Sequence, residues 1–436
     1  VARRLAAALL TVVLIGAVAG CSEGEPERRG GAGDSGGIPG APTCGDEPVV
    51  RCAPDDTVLG PLPDRPRPAR GEPIRVVMLN QETGPGGSFP ELSLAARAAF
   101  DFVNQELGGI DGRPVEIEVC DTKFSAEQSL ACAQRAVQQQ AVAVLGGIDL
   151  FGNGIRVLEQ NELPYVGGIP VSIASATSPV SFQFSGGTWG AVVAFLEFAR
   201  RRLDAERVAI IYGEFGSIEN AAKLGERIGR RLGVDVRLVS TPIITTDYVT
   251  PMTAALDSDP DAIVALTADV GCVPTFRAAK DLRVRAAVFF TGACAAPKIL
   301  EAAGREATEG RYFNVEGPIN PRRPSPDTAL YNMVIERYGR GVPAQSAGTV
   351  TFRAAMNLYM AMRDLGADRL RPAALMEWFR DSRDRPSFTG HPYTCDGRQL
   401  PEQPAMCAPQ QIIAQRRGGT LVAASDWIDV PAIVNR

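Results

Sequence analysis

From Pro73 onward, apolar and polar positions alternate between two rhythms. Residues 74–79 are a short apolar run that predicts a strand, and residues 115–119 alternate with the period of two that a half-buried strand needs. Residues 141–145 read as a buried strand ending in Gly146 and Gly147. Between these lie helical stretches. Over 91–107, Leu92, Ala95, Ala99, Val103 and Leu107 fall on one stripe. Over 125–139, Ser125 is placed to cap the first turn, with Gln128 three residues on. A short helix is expected at 154–161 and a short strand at 164–166. A long helix at 188–203 opens a second series. Its strands are expected at 207–212, 234–239, 262–266, 286–290 and 311–315, with helices at 218–232, 248–257, 273–282 and 298–304. Helices at 328–338, 349–365 and 372–380 follow. A strand pair, 411–415 and 420–424, closes the chain around Gly418 and Gly419.

Regular βα alternation places parallel strands under covering helices. Two successive series predict an α/β protein with two doubly wound, Rossmann-like lobes. A single eight-fold barrel would continue the alternation to the end, whereas this chain finishes in helices and a hairpin.

The first 72 residues break the rhythm. Arg3 and Arg4 precede an apolar run over 5–19, which at fifteen residues is short for a membrane span of about 18 or more. It ends Val18-Ala19-Gly20-Cys21, which resembles the lipobox of bacterial lipoproteins. That resemblance implies a signal peptide over 1–20 and lipidation of Cys21. Residues 21–72 are rich in Gly, Pro and charge and are expected to form a disordered tether, with a reach of roughly 40 Å for about 50 residues.

Composition narrows the function. With 45 Lys+Arg against 50 Asp+Glu, the net charge of −5 disfavours nucleic acid as a partner. The single histidine, His391, lies between Gly390 and Pro392, and no Gly-x-Ser-x-Gly elbow occurs, so a catalytic triad is not expected. Gly84, Gly86 and Gly87 lack dinucleotide-fingerprint spacing, so no cofactor is expected. Setting Cys21 aside leaves eight cysteines, which suits an oxidising exterior and allows 105 pairings. Pairing sequence neighbours gives Cys44–Cys52, Cys120–Cys132, Cys272–Cys294 and Cys395–Cys407. No Cys-x-x-Cys is present, and no metal is expected.

Five short motifs carry a resemblance. The stretch 104–114, Asn-Gln-Glu-Leu-Gly-Gly-Ile-Asp-Gly-Arg-Pro, resembles a turn of the type I periplasmic binding proteins, specifically the leucine/isoleucine/valine-binding proteins of ABC transporters. Thr83-Gly84 after the first strand, Asp121 at the end of the second, Ala174 with Thr177-Ser178-Pro179, and Thr389-Gly390 before Cys395-Asp396-Gly397 resemble further motifs of that family in order. The resemblance spans residue 73 to the end, and the paired cysteines resemble a lipoprotein branch of the family. It implies two lobes joined by three crossovers: 73–187 with 318–405, and 188–317 with 406–436. It further implies an extracytoplasmic solute-binding lipoprotein that does no chemistry. Such a protein traps a small polar or amphipathic solute and partners ABC permease subunits, anchored to the cell membrane through lipidated Cys21. A lobe that senses ligand for a membrane receptor kinase is the alternative.

Ligands in open α/β sheets gather at the carboxyl ends of strands. In the first lobe those exits carry Thr83, Gly84, Ser88, Asp149, Leu150, Phe151, Gly168 and Ile169. In the second they carry Glu214, Phe215, Asp269 and Thr291. Leu150 and Phe151 stand where an amino-acid binder places a hydroxyl for the α-carboxylate. Acids and aromatics dominate the set, with Glu82, Glu316 and Phe89 beside them. Such a lining suits a cationic or amide head on an apolar body. The competing expectation is that the acids merely cap helices.

Overall fold

The computed structural model describes residues 42–317 and 324–436. The signal segment and Cys21 lie outside the described residues, which form one compact unit. Two sheets organise it. The first contains β1 (Ile74–Asn80), β2 (Val115–Asp121), β3 (Ala143–Gly146), β4 (Tyr165–Val166) and β5 (Ser181–Phe182), in the order β2-β1-β3-β4-β5 and parallel throughout. The second contains β6 (Arg207–Gly213), β7 (Asp235–Thr241), β8 (Ala262–Leu266), β9 (Ala287–Phe290), β10 (Tyr312–Val315), β11 (Ile412–Arg417) and β12 (Thr420–Ala423). Its order is β12-β11-β10-β9-β8-β6-β7, with β11 and β12 antiparallel. Both sheets run buried under helices, as the apolar runs require. All five residues of β8 are buried, and so are the four of β3.

The chain passes between the lobes three times: after β5, after β10 and before β11. The helix Gly348–Leu365, on the second visit to the first lobe, packs against Pro90–Gln105 and is buried along most of its length. The Ser125 cap forms, with its side chain accepting from the Gln128 amide. The two-residue β5 carried no legible pattern, because it pairs only with β4 and is held by a bridge from Gln183 to Met406. All four neighbour-paired disulfides are present.

Residues 42–72 correct the tether expectation. They lie on the first lobe rather than apart from it. A short helix, Val49–Cys52, buries Val49 and Val50. The Val50 amide donates to Oε2 of buried Glu106 at 2.9 Å, whose Oε1 accepts from Tyr338 Oη at 2.6 Å. The Val58 amide donates to Asp327 at 2.9 Å, and Arg363 donates to the Leu59 carbonyl at 2.8 Å. The segment is too poor in apolar residues to show periodicity. A few anchors, a disulfide and main-chain hydrogen bonds suffice because the rest of the lobe supplies the surface.

Candidate functional site

The strand order decides which end of the cleft opens. The three crossovers leave from β5, β10 and β11, so the hinge lies at that edge of both sheets, and the loops after β2 and β6 lie at the far edge. Between them, at the carboxyl ends of β3, β4, β8 and β9, is a cavity of about 290 Å³. That is close to the lower bound of ordinary small-molecule pockets, roughly 300 Å³.

Four residues expected from sequence line it: Leu150, Ile169, Asp269 and Thr291. Phe89 lines it too. Ile148, Leu150, Ile169 and Val171 give the first lobe an aliphatic wall, and the second lobe answers with small residues such as Ala268, Ala293 and Ala296. Asp269 opens the helix Asp269–Asp281. Burial raises its carboxyl above the usual range, and the Lys298 ammonium works against that.

The other expected residues stand elsewhere. Asp149 is buried, accepting from Ser129 Oγ at 2.6 Å and from the Gly152 amide at 3.2 Å. Burial raises its carboxyl, with those hydrogen bonds opposing. It holds the turn into the next helix and is not a lining group. Thr83 Oγ1 donates to Asp121 Oδ2 at 2.6 Å, tying its loop to the end of β2, and Ser88 Oγ donates to the Glu82 carbonyl at 2.6 Å within its own loop. Glu82 accepts from Asn80 Nδ2 at 2.7 Å. Neither Gly84 nor Gly168 lines the cavity: a Cβ at Gly84 would come within 2.7 Å of Phe124 Cβ, and one at Gly168 within 2.7 Å of the Gly147 carbonyl oxygen. Glu214 is exposed and outside the lining. His391 sits edge-on to Trp427 at 5.3 Å, with Nδ1 2.8 Å from the Pro392 carbonyl.

Phe151 and Phe215 form part of a different device. Phe151 and Phe124 of the first lobe meet Phe215 of the second, with ring centroids 5.4 Å apart for Phe151–Phe215 and for Phe124–Phe151, and 6.4 Å for Phe124–Phe215. The contact crosses the cleft at the edge away from the hinge. Gly86 admits the Phe124 ring, since a Cβ there would stand 2.5 Å from it. Beside it, Lys298 Nζ donates across the cleft to the Ser88 carbonyl at 3.1 Å. At Gly87, φ is +138° and a Cβ would come within 2.8 Å of Asp269 Cβ, so glycine is needed for the two lobes to close there. The lobes are in a closed arrangement.

The hinge edge is polar. Glu316, expected as one of the strand-exit acids, follows β10. Its Oε1 accepts from Ser185 Oγ at 2.7 Å, from the Gly186 amide at 3.0 Å and from Gln411 Nε2 at 2.8 Å. Its Oε2 accepts from Arg353 Nη2 at 2.9 Å. One carboxylate thus joins all three crossovers and the helix Gly348–Leu365. Arg353 also donates to the Glu316 carbonyl. Gln411 in turn accepts from Asn314 Nδ2 at 2.8 Å. Sequence reasoning missed Arg353, Asn332, Thr349 and Gln345 as lining groups. Arg353 carried a signal: a lone arginine inside an apolar helical stripe must have a buried partner.

The periplasmic binding protein family model matches residues 73–408. The chain belongs to the periplasmic binding protein family. Comparison with curated proteins returned no match. Among solved structures, a branched-chain amino acid ABC transporter protein from Thermus thermophilus with bound valine has a TM-score of 0.70 at 15% identity, covering 82% of this chain and 97% of its own. A leucine-binding protein from Thermotoga maritima gives 0.67 at 18%, covering 81% and 98%. A solute-binding protein from R. palustris in complex with 4-hydroxybenzoate gives 0.67 at 17%, covering 82% and 96%. At such identities the likeness is one of fold, and it is the two-lobed fold of type I periplasmic binding proteins. Membership of the family implies an extracytoplasmic location and a small-molecule ligand.

Proposed function

We propose that this periplasmic binding protein is the solute-binding lipoprotein of an ABC importer, trapping a small amphipathic solute between its lobes without chemical conversion. The cavity at the strand ends carries the reading: it is bounded by both lobes, so a solute that fills it makes contacts in the closed form that the open form lacks. The ligand shell is Leu150, Ile169, Asp269 and Thr291 from the expected set, with Phe89 and Thr349 added. Closure pivots on the Glu316 hinge, and the closed pair of lobes is the form that ABC permease subunits would receive. Cys21 anchors the protein by lipid to the outer face of the membrane.

The test is to denature purified protein and identify the released small molecules by mass spectrometry. One solute in stoichiometric amount, rebinding after refolding, is the expected result; no solute released and none rebound from cell extract would sink the reading. Cys21→Ala should move the protein from the membrane to the soluble fraction, and retention on membranes would refute the anchor.

A further inference from the structure

The charges of the cavity do not match those of a free amino acid. Among the described residues, three charged side chains line it: Asp269, Glu316 and Arg353. Two of them cancel. Arg353 and Glu316 are both at least nine-tenths buried as a 2.9 Å pair, and Glu316 takes three further hydrogen bonds from the hinge. Among the described residues Arg353 is the one cation in the lining; its Nη1 and Nη2 are taken by Glu316, and its Nε is buried without a partner. Among the described residues, Asp269 is the one lining charge left without an opposing lining partner. Around it, outside the lining, stand Glu91 and Lys298, with Glu82 beyond, so the neighbourhood is negative in sum.

The cavity also has an acidic pole. Asp269 lies against Gly87, and Gly348 lies against the Glu91 carbonyl, where an added Cβ would come within 2.7 Å. The stretch 87–91 thus brings Asp269 of the second lobe close to the start of the helix Gly348–Leu365. Of the uncharged polar lining groups, Gln345, Ser346 and Thr349 stand there, with Asn332 on the neighbouring helix Pro326–Tyr338, while Ser185 and Asn314 line the hinge side. Away from that pole, at the exits of β3 and β4, the wall is Ile148, Leu150, Ile169 and Val171. A carboxylate set against that wall would exchange its water for aliphatic carbon, a loss that is large for an ion.

We infer that the solute has a carboxylate-free head, a protonated amine or a primary amide, set against Asp269, and an aliphatic or aromatic body lying on the Ile148–Leu150–Ile169–Val171 wall. The inference rests on the solute-binding reading above and deepens it. A head with N–H donors satisfies Asp269 and finds acceptors on Gln345, Ser346 and Thr349. A carboxylate beside Asp269 meets a like charge. Burial raises the Asp269 carboxyl, so an incoming cation would restore its ionised form, which favours a protonated amine over a neutral head.

The test is calorimetric titration of the full-length protein, freed of solute by unfolding and refolding with its disulfides intact. The probes share one body: isoamylamine, isovaleramide and isovalerate, with leucine and leucinamide as a second pair. The amine and the amide should bind at least ten-fold more tightly than isovalerate, and leucinamide more tightly than leucine. Asp269→Asn should weaken isoamylamine by about 10- to 150-fold while leaving isovaleramide within a few-fold. Equal binding of isovalerate or leucine, or no binding of the amine and the amide, would overturn the inference. The two readings fail separately. If the solute released from the native protein is a carboxylate, the head-group assignment is wrong and solute binding stands. If no solute is released and none rebinds, both fall.

Discussion

The two ends of the cleft are built from opposite materials. At the hinge, Glu316 gathers Ser185, Gly186, Gln411 and Arg353 into a saturated polar knot. At the far edge, Phe124, Phe151 and Phe215 meet through ring edges and faces. Hydrogen bonds to a buried ion are directional and costly to leave unmade, so the knot fixes where the three crossovers run. Aromatic contacts are worth only about 0.5–1.5 kcal/mol each beyond their buried area. They can part and re-form. The difference assigns the pivot to the polar end and the latch to the apolar end.

Breaking the knot should have the largest effect. Glu316→Ala leaves Arg353 buried without its counter-charge and three hinge donors without their acceptor. We expect a loss of about 3–5 kcal/mol of unfolding free energy, the usual scale for removing one partner of a buried pair, read by denaturant titration. A loss near zero would mean that the hinge does not depend on this carboxylate. Next is the wall beside the latch. Cys272–Cys294 closes a loop of 22 residues and ties the helix Asp269–Asp281 to the exit of β9. Replacing both cysteines by serine should cost about 3 kcal/mol if the bond is unstrained, seen as a fall in Tm on calorimetry. Activity of the hinge should be untouched, so the bound form should still compact on solute addition.

Phe215→Ala sharpens the comparison most. It removes two ring contacts across the cleft and leaves each lobe's own core in place. We expect little change in apo unfolding, but closure less favourable by about 1–3 kcal/mol and solute affinity lower by about 5- to 150-fold. Equal loss in apo stability and affinity would make Phe215 a core residue and not a latch. The smallest effect is one of pH. Burial pushes the Asp121 carboxyl up, but hydrogen bonds from Thr83 Oγ1 and the amides of Lys123, Thr83 and Glu82 outweigh it and hold it below its ordinary value. A depressed carboxyl contributes stability that is present above its unfolded value, about 3.9, and fades as pH falls through the lower folded value. Amide exchange at Thr83 and Lys123 should therefore quicken in acid before that of β8, while Asp121→Asn should flatten the dependence.

The fold was legible because burial imposes period. The strand at 74–79 and the helix at 349–365 announce themselves by runs that only a covered sheet or a buried helix can carry. The segment 42–72 was not, because its order comes from Glu106 and Asp327 reaching out to backbone amides, a relation between distant residues that leaves no local pattern. The site was half legible. Of the strand-exit residues, Leu150, Ile169, Asp269 and Thr291 line the cavity. The same rule could not separate an acid that faces the cavity from one that holds a turn, as Asp149 does, or one that serves a hinge, as Glu316 does. That choice is made by which donors fold up beside each carboxylate. Ser129 reaches Asp149 across twenty residues, and Ser185 reaches Glu316 across 131.

The central claim is that the closed arrangement depends on a trapped solute. It is tested most directly by small-angle scattering on solute-stripped protein before and after its own released small-molecule fraction is added back. The account predicts a larger radius of gyration when stripped and a fall to the closed value on addition. An unchanged radius, with the stripped protein already closed and indifferent to the fraction, would contradict it.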